Sequence, residues 1–75
     1  MTHLCDIFTD EDEYEVFLED MLLRKGRYLL FRRNGQPREE VRRVPKRWVA
    51  SKANILSLCG IEVEKATFRW HKSEV

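Results

Sequence analysis

Residues 9–26 read TDEDEYEVFLEDMLLRKG, and this stretch decides the predicted fold. Thr9 begins a Thr-x-x-Asp pattern, which is typical of a helix N-cap, and the carboxylates that follow favour the positive first turn of a helix. Gly26 can end the helix in the left-handed conformation. Five apolar residues recur at spacings of three and four, as on one side of a helix: Tyr14, Phe17, Leu18, Met21 and Leu22. The stretch predicts an acidic amphipathic helix.

Strand signals lie on both sides of this helix. Residues 3–8 form a short apolar-rich segment, and residues 27–33 carry Tyr-Leu-Leu-Phe at their centre. Asn34-Gly35 follows, a pair that tolerates positive φ and is the strongest short signal for a hairpin turn. We expect a returning strand after it. Pro37 should lie at a sheet edge or a bulge, because proline has no N–H for the ladder.

A second helix and a last strand complete the order of elements. The helix has two candidate starts, at Pro45 and at Ser51, and it ends at Gly60, where Gly60-Ile61 resembles a Schellman motif. Residues 61–70 fit either a strand with a bulge or one side of a helix. Their Ile, Val, Thr, Phe and Trp side chains favour the strand.

The elements read β-α-β-β-α-β, the order of a split β-α-β, or ferredoxin-like, sandwich. We expect an α+β fold with two helices on one face of an antiparallel sheet, as a single domain over residues 1–75. The alternative is a compact helix-turn-helix variant with a β-hairpin. Residues 56–72 resemble the turn and recognition helix of some helix-turn-helix regulators. This resemblance implies four groove-facing residues: Glu62, Lys65, Thr67 and Arg69.

Composition indicates a small folded protein inside the cell. Apolar residues make up 43% of the chain and charged residues 36%, enough for one compact core. Cys5 and Cys59 are too few for a disulfide framework, and no apolar signal region opens the sequence, so we expect a reducing, cytoplasmic location. The longest apolar runs are three or four residues. Roughly twenty are needed to cross a bilayer, so we expect no membrane association.

The charges divide along the chain. Residues 1–23 contain eight carboxylates and no Lys or Arg, a charge of −8, whereas residues 24–75 hold fourteen Lys and Arg against five Glu, a charge of +9. If the fold keeps these halves apart, the basic half offers guanidinium groups for phosphates and aromatic rings for bases.

This pattern favours a small non-enzymatic binding protein whose Arg-rich β-hairpin contacts nucleic acid or a nucleoprotein complex. The candidate contact residues are Arg27, Arg32, Arg33, Arg38, Arg42, Arg43, Lys46, Arg47 and Lys52. The plainer interpretation is a solvated hairpin whose charges are paired and whose aromatic residues belong to the core.

The acidic helix supports a rival hypothesis from another class. A row of carboxylates, or a sheet face, would let the chain act as a protein-protein inhibitor or adaptor of the phage or mobile-element type, which blocks a larger host complex, for example in anti-defence. The candidate protein-binding residues are Glu11, Glu15, Glu19 and Asp20. A third hypothesis is a structural subunit with its interface at Trp48, Phe68 and Trp70.

The sequence contains no pattern of a catalytic, cofactor or metal site. No histidine or nucleophile stands at a recognisable spacing from the carboxylates, and the glycines are accounted for as turn or cap residues. His3, Cys5, Cys59 and His71 lack the spacing of a zinc site. His3 and His71 could approach each other if the first and last strands are antiparallel neighbours. We expect no enzyme activity, no cofactor and no bound metal.

Overall fold

A computed structural model describes residues 1–71 as one antiparallel sheet with a short helix against one face. The strands are β1 (Thr2–Phe8), β2 (Glu13–Met21), β3 (Gly26–Arg33), β4 (Glu39–Val44) and β5 (Thr67–Trp70). Helix α1 spans Lys52–Cys59, and a 3-10 turn spans Val63–Lys65. The sheet order is β4-β3-β2-β1-β5. Four strands therefore follow one another as a meander, and the chain then returns through α1 to add β5 beside β1.

The inner face of the sheet carries the main core. Alternate residues of a strand point to the same face, and Val16 of β2 lies between Cys5 of β1 and Phe31 of β3. Burial of one such aliphatic side chain contributes about 1.5–3 kcal/mol. The buried cluster, which includes two residues of α1, consists of Cys5, Ile7, Val16, Leu29, Val44, Ile55 and Leu56. This cluster fixes which residues of each strand face outward.

The predicted first helix is wrong, because residues 13–21 form the central strand β2. The same sequence also alternates, with Tyr14, Val16 and Leu18 toward the inner core, and this two-residue period competes with the helical spacing. β2 pairs with β1 over residues 13–18 and with β3 over residues 14–21. Its aromatic and β-branched side chains therefore pack against neighbours on two sides, and these non-local contacts outweigh the local helical preference.

The capping signal at Thr9 closes a hairpin loop instead of starting a helix. The Thr9 hydroxyl accepts a hydrogen bond from the Asp12 N–H at 3.0 Å, and the Thr9 N–H donates to the Asp12 carbonyl at 2.9 Å. An N-cap makes the first of these bonds, and so does a turn built on a Ser or Thr side chain. The local pattern therefore locates a change of chain direction correctly, and the element after it is a strand.

The β3–β4 hairpin is confirmed. Asn34 and Gly35 have φ values of 50° and 73°, and the Gln36 N–H donates to the Arg33 carbonyl at 3.0 Å. These features describe a type I′ turn. β4 is an edge strand with a bulge in its pairing, and Pro37 lies in the loop before it. The proline is thus outside the ladder, as its missing N–H requires.

The second predicted helix is confirmed as α1, with the later of its two candidate starts. The Ser51 side chain accepts a hydrogen bond from the Asn54 N–H at 3.2 Å, as an N-cap does. At the other end Gly60 has a φ of 70°, and the Ile61 N–H donates to the Leu56 carbonyl at 3.0 Å. This is the expected Schellman ending. At eight residues α1 is too short to cross a membrane, and residues 1–71 contain no longer helix.

The last segment is a strand, as the sequence favours, but the strand is shorter than the predicted range of residues 61–70. A 3-10 turn at Val63–Lys65 comes first, and only Thr67–Trp70 pair with β1. The helix-turn-helix alternative is therefore wrong, and residue 72 of that stretch lies outside the described residues. The four residues assigned to a recognition helix lie on or beside the turn and on β5: Glu62, Lys65, Thr67 and Arg69.

The ferredoxin-like sandwich is also wrong. It needs two helices on one face of a four-stranded sheet, whereas the structure has five strands and, within residues 1–71, the single α-helix α1. The cause is the one misassigned element, since a strand in place of the first helix turns the β-α-β start into a meander. The expectation that the first and last strands are antiparallel neighbours is nevertheless confirmed.

Candidate functional site

The outer face of the sheet carries a second apolar cluster. Phe17 of β2 lies opposite Leu30 of β3, and Tyr28 lies two residues earlier on the same face. Only 6–8% of the surface of each of these three residues is exposed. Arginine side chains lie over the rings, with the guanidinium carbon of Arg24 4.3 Å from the Tyr28 centroid and that of Arg38 5.3 Å from the Phe17 centroid. Long cationic side chains bury apolar surface under their stems in this way.

The sheet also brings acidic and basic residues into direct contact. The acidic strand β2 pairs with the basic strand β3, so Glu15 lies opposite Arg32 and Asp20 lies opposite Arg27. Their side chains form salt bridges at 2.6 Å and 3.1 Å. The charges that are segregated in the sequence are therefore cross-strand neighbours in the middle of the sheet, and the two charged halves are not separate surfaces there.

Arg24, in the β2–β3 turn, is engaged in a similar way. Besides lying over Tyr28, its guanidinium forms a bidentate ion pair with Glu40 of β4. The hydrogen bonds that Arg24 donates to the Glu40 carboxylate raise the pKa of Arg24 above its ordinary value. Arg24 and Arg32 are thus occupied by carboxylates and by aromatic rings of their own sheet.

The predicted protein-binding carboxylates do not share one surface. Glu15 and Glu19 lie on the outer face of β2, whereas Asp20 points to the opposite side and Glu11 lies in the β1–β2 loop. Glu15 and Asp20 are in salt bridges with β3. The acidic helix predicted to carry the docking row is absent, and of the four carboxylates only Glu15 and Glu19 share a face.

A groove with an excess of positive charge lies where the β2–β3 turn meets the end of β4. It is open to solvent and has a volume of about 810 Å³. Lys25, Arg27, Arg43 and Lys46 supply four positive charges and Asp20 supplies one negative charge. The apolar part of the lining comes from Met21, Leu22, Val44 and Pro45. We call this feature the cationic groove.

Arg43 is held across the cationic groove by its neighbours. The absence of a side chain at Gly26 makes room for it, since a Cβ atom there would lie 2.6 Å from Arg43 Nε. Arg43 Nη2 donates to the Lys25 carbonyl at 3.0 Å. Within residues 1–71, no carboxylate lies within 4.0 Å of the charged atoms of Lys25, Arg43 or Lys46. These three cations can therefore pair with an external anion.

The structure brings together only part of the predicted nucleic-acid-binding set. Arg27, Arg43 and Lys46 line the cationic groove, and the exposed Arg42 and Arg47 are their neighbours in the chain. The remaining members lie elsewhere, on the outer face, at the far end of β3, in the β3–β4 loop or at the start of α1: Arg32, Arg33, Arg38 and Lys52. Lys25 lines the groove but is absent from the predicted set.

Two leucines stand exposed in the β2–β3 turn beside the groove. Leu22 is 88% exposed and Leu23 is 100% exposed. The helical interpretation puts Leu22 on the apolar side of a helix, so the local pattern does not indicate an exposed pair. Large apolar side chains this open to water are a feature of interaction sites.

Both cysteines are free thiols in apolar surroundings. Burial raises the pKa of the Cys5 thiol to about 12 and that of the Cys59 thiol to about 11. The thiolate is the reactive form of cysteine. Neither residue is therefore a candidate nucleophile.

A histidine and aspartate cluster occupies the outer face where β1 meets β5. His3, Asp6 and His71 each place a candidate ligand atom within 4.8 Å of the others. Residues three apart on a regular strand face opposite ways, but a bulge between His3 and Cys5 puts His3 on the same face as Asp6. The antiparallel neighbours β1 and β5 explain the approach of His71 to His3, whereas nothing in the local sequence indicates the bulge.

The cationic groove, with the exposed leucines beside it, is the candidate functional site. It combines three cations that have no carboxylate partner in residues 1–71 with an apolar lining, whereas Arg24 and Arg32 of the same sheet are paired with carboxylates. The chain matches no protein-family model, no curated protein and no solved structure.

Proposed function

We propose that the cationic groove binds the phosphate backbone of a nucleic acid. One observation carries the proposal, namely that the groove holds four cationic side chains against one carboxylate. Arg24 and Arg32 on the outer face, in contrast, each have a carboxylate partner. Lys and Arg bind phosphate oxygens through charge-assisted hydrogen bonds, and the release of counterions adds to the affinity.

The arrangement of the groove favours contact with the backbone over contact with bases. Its cations come from the β2–β3 turn, from β4 and from the turn after β4, through Lys25, Arg43 and Lys46. Cations spread over three segments fit a row of phosphates better than a single phosphate. Within the described residues no aromatic ring lines the groove, so it offers no platform for base stacking. We expect weak sequence preference.

Fluorescence anisotropy with labelled DNA and RNA oligonucleotides tests the proposal. Binding through about three phosphate contacts should lose roughly fortyfold in affinity between 50 and 200 mM salt. No binding to either nucleic acid at low salt, or affinity that does not change with salt, would contradict the proposal.

A pair of matched variants locates the contact. The double variant Arg43→Gln/Lys46→Gln should bind at least tenfold more weakly and reduce the salt slope by about two, because each phosphate contact contributes about one. Arg32→Gln removes the same kind of charge from a side chain that is paired with Glu15, and it should bind as the unmodified chain does. Equal losses in both variants would place the contact outside the groove.

Protein binding through the β2–β3 turn is a second candidate function. The observation that favours it is the exposure of Leu22 and Leu23, since an apolar pair of this kind can insert into a pocket of a partner. This retains the inhibitor or adaptor hypothesis but moves the contact from the carboxylates to the turn.

Affinity capture after nuclease treatment distinguishes the two candidates. A protein complex captured by the unmodified chain, and lost with Leu22→Ser/Leu23→Ser, would support contact through the turn. Val49→Ser is the control, because Val49 is also exposed, at 65%, but lies outside the turn. Capture of the same complex by the leucine variant would contradict the second candidate.

A further inference from the structure

We infer that His3, Asp6 and His71 form a binding site for a divalent transition-metal ion such as zinc. Imidazole nitrogens and a carboxylate oxygen are ligands that these ions take. The three candidate donor atoms all lie within 4.8 Å of one another. The site shares no residue with the cationic groove, so it is independent of the proposed function.

Backbone pairing brings the three ligands to one place. β1 and β5 are antiparallel neighbours, and the His71 N–H donates to the Leu4 carbonyl at 3.0 Å just beyond the end of β5. The bulge after His3 puts its ring on the same face as Asp6. The two imidazole rings are stacked, with centroids 4.0 Å apart and an angle of 19° between their planes.

Two of the ligands are already oriented toward each other. His3 Nε2 lies 2.8 Å from Asp6 Oδ1, and the His3 ring packs against Phe17 at a centroid distance of 4.7 Å. Arg69 donates to the other carboxylate oxygen, Asp6 Oδ2, at 3.3 Å. Contacts of this outer kind hold metal ligands in position. A metal ion would take the place of the proton between His3 and Asp6.

The His71 ring must turn out of its stack on His3 to complete the geometry, because nitrogen lone pairs lie in the ring plane and those of two parallel rings cannot point at one ion. Donor atoms at about 2.0–2.1 Å from a tetrahedral zinc ion lie about 3.3 Å from one another, whereas the three candidate donor atoms lie within 4.8 Å of one another, so the ring rotation must also adjust their spacing. His71 is exposed and its ring can rotate, whereas the side chains of His3 and Asp6 are only 20% and 14% exposed. Three protein ligands leave a fourth position for water. Glu15 Oε2, a further carboxylate oxygen, lies 4.0 Å from His3 Nε2.

Isothermal titration calorimetry of the full chain with zinc chloride tests this inference, with a phosphine reductant to keep the thiols reduced. We expect one zinc ion per chain, and we expect the ring signals of both histidines to shift together in NMR spectra. His71→Phe keeps a ring stacked on His3 but removes the donor nitrogen. This variant and Asp6→Asn should each weaken zinc binding at least tenfold.

Two control variants exclude other zinc ligands. Cys59→Ala removes a thiol and Glu62→Gln removes an exposed carboxylate that pairs with Lys65, and both should bind zinc as the unmodified chain does. Circular dichroism reports whether each variant is folded. If Asp6→Asn is unfolded, zinc binding by His71→Phe decides the test. Absence of zinc binding, or binding that persists in folded His71→Phe, would overturn the inference.

Discussion

The two faces of the sheet bury their apolar side chains with different partners. On the inner face, Leu29 belongs to a cluster that includes Ile55 and Leu56 of helix α1. On the outer face, the next residue, Leu30, belongs to a cluster that lies under arginine side chains. Arginines that suggest a binding surface in the sequence therefore serve here as the cover of a small apolar cluster.

This difference also separates the engaged cations from the available ones. Arg24 and Arg32 lie over aromatic rings and are paired with carboxylates. Arg43 lies opposite Tyr28, at the end of the covered cluster, and it lines the cationic groove together with Lys25 and Lys46. Adjacent segments of one hairpin thus supply both the cover and the candidate binding site.

The largest expected effect contrasts two adjacent leucines of β3. Leu29→Ala should lower the free energy of unfolding by about 2–5 kcal/mol, because it leaves a cavity in a closely packed core. Leu30→Ala should cost about 1–2 kcal/mol, because flexible arginine side chains can collapse into the space. Urea denaturation measures both values. Equal costs would show that the two faces are covered equally tightly.

Alkaline pH should weaken the inner face. Burial holds the pKa of Cys5 at about 12 and that of Cys59 at about 11 in the folded chain, against 9.0 for an ordinary thiol. Below about pH 9 both states keep the thiols protonated, whereas above it only the unfolded chain ionises, so the free energy of unfolding falls as pH rises. At pH 10 we expect a loss of about 1 kcal/mol per thiol. Urea denaturation at pH 7 and pH 10 should show a smaller fall for Cys59→Ala than for the unmodified chain.

Removal of one covering arginine should have a smaller effect. Arg32→Ala loses both the contact with the Phe17 ring and the salt bridge to Glu15, and it should lower the free energy of unfolding by about 1 kcal/mol. Arg47→Ala is the matched control, since Arg47 is an exposed turn residue outside this cluster, and its effect should be near zero. A control that costs as much as Arg32→Ala would show that Arg32 is no part of the cover.

The smallest effect concerns the salt bridge alone. Glu15→Gln leaves Arg32 over Phe17 but removes the carboxylate, and we expect a cost of about 0.5 kcal/mol at low salt. Because the pair is partly exposed, this cost should shrink in 1 M salt. Thermal unfolding at the two salt concentrations measures the difference. A cost that is unchanged by salt would indicate a packing effect instead of an electrostatic one.

The parts of the fold that the sequence predicts are those with strong local signals. The Asn34-Gly35 turn, the Ser51 cap and the Gly60 ending are all as expected, because each depends on a few neighbouring residues. Residues 13–21 carry two periods at once, and the choice between them depends on strands β1 and β3 on either side. A local pattern cannot supply that information. The local pattern therefore predicts a helix, and the wrong fold class follows from that helix.

The candidate site was predicted in part for the same reason. Arg43 and Lys46 belong to the predicted set and line the groove. Arg32 also belongs to that set, but it forms a salt bridge with Glu15, a cross-strand partner that is far away in the sequence. The histidine cluster depends on the bulge after His3, for which the sequence has no signal. Charge counting shows how many cations exist, whereas strand pairing decides which of them are neutralised.

The most direct test of this account follows the arginine side chains themselves. NMR spectra of the arginine Nε–Hε groups, recorded while an unlabelled oligonucleotide is added, separate the two sets of cations. We predict that the Arg43 signal shifts and that the signals of Arg24 and Arg32 stay in place, because these two are held by Glu40 and Glu15. Shifts of Arg24 and Arg32 with Arg43 unmoved would contradict the division between covering arginines and the cationic groove.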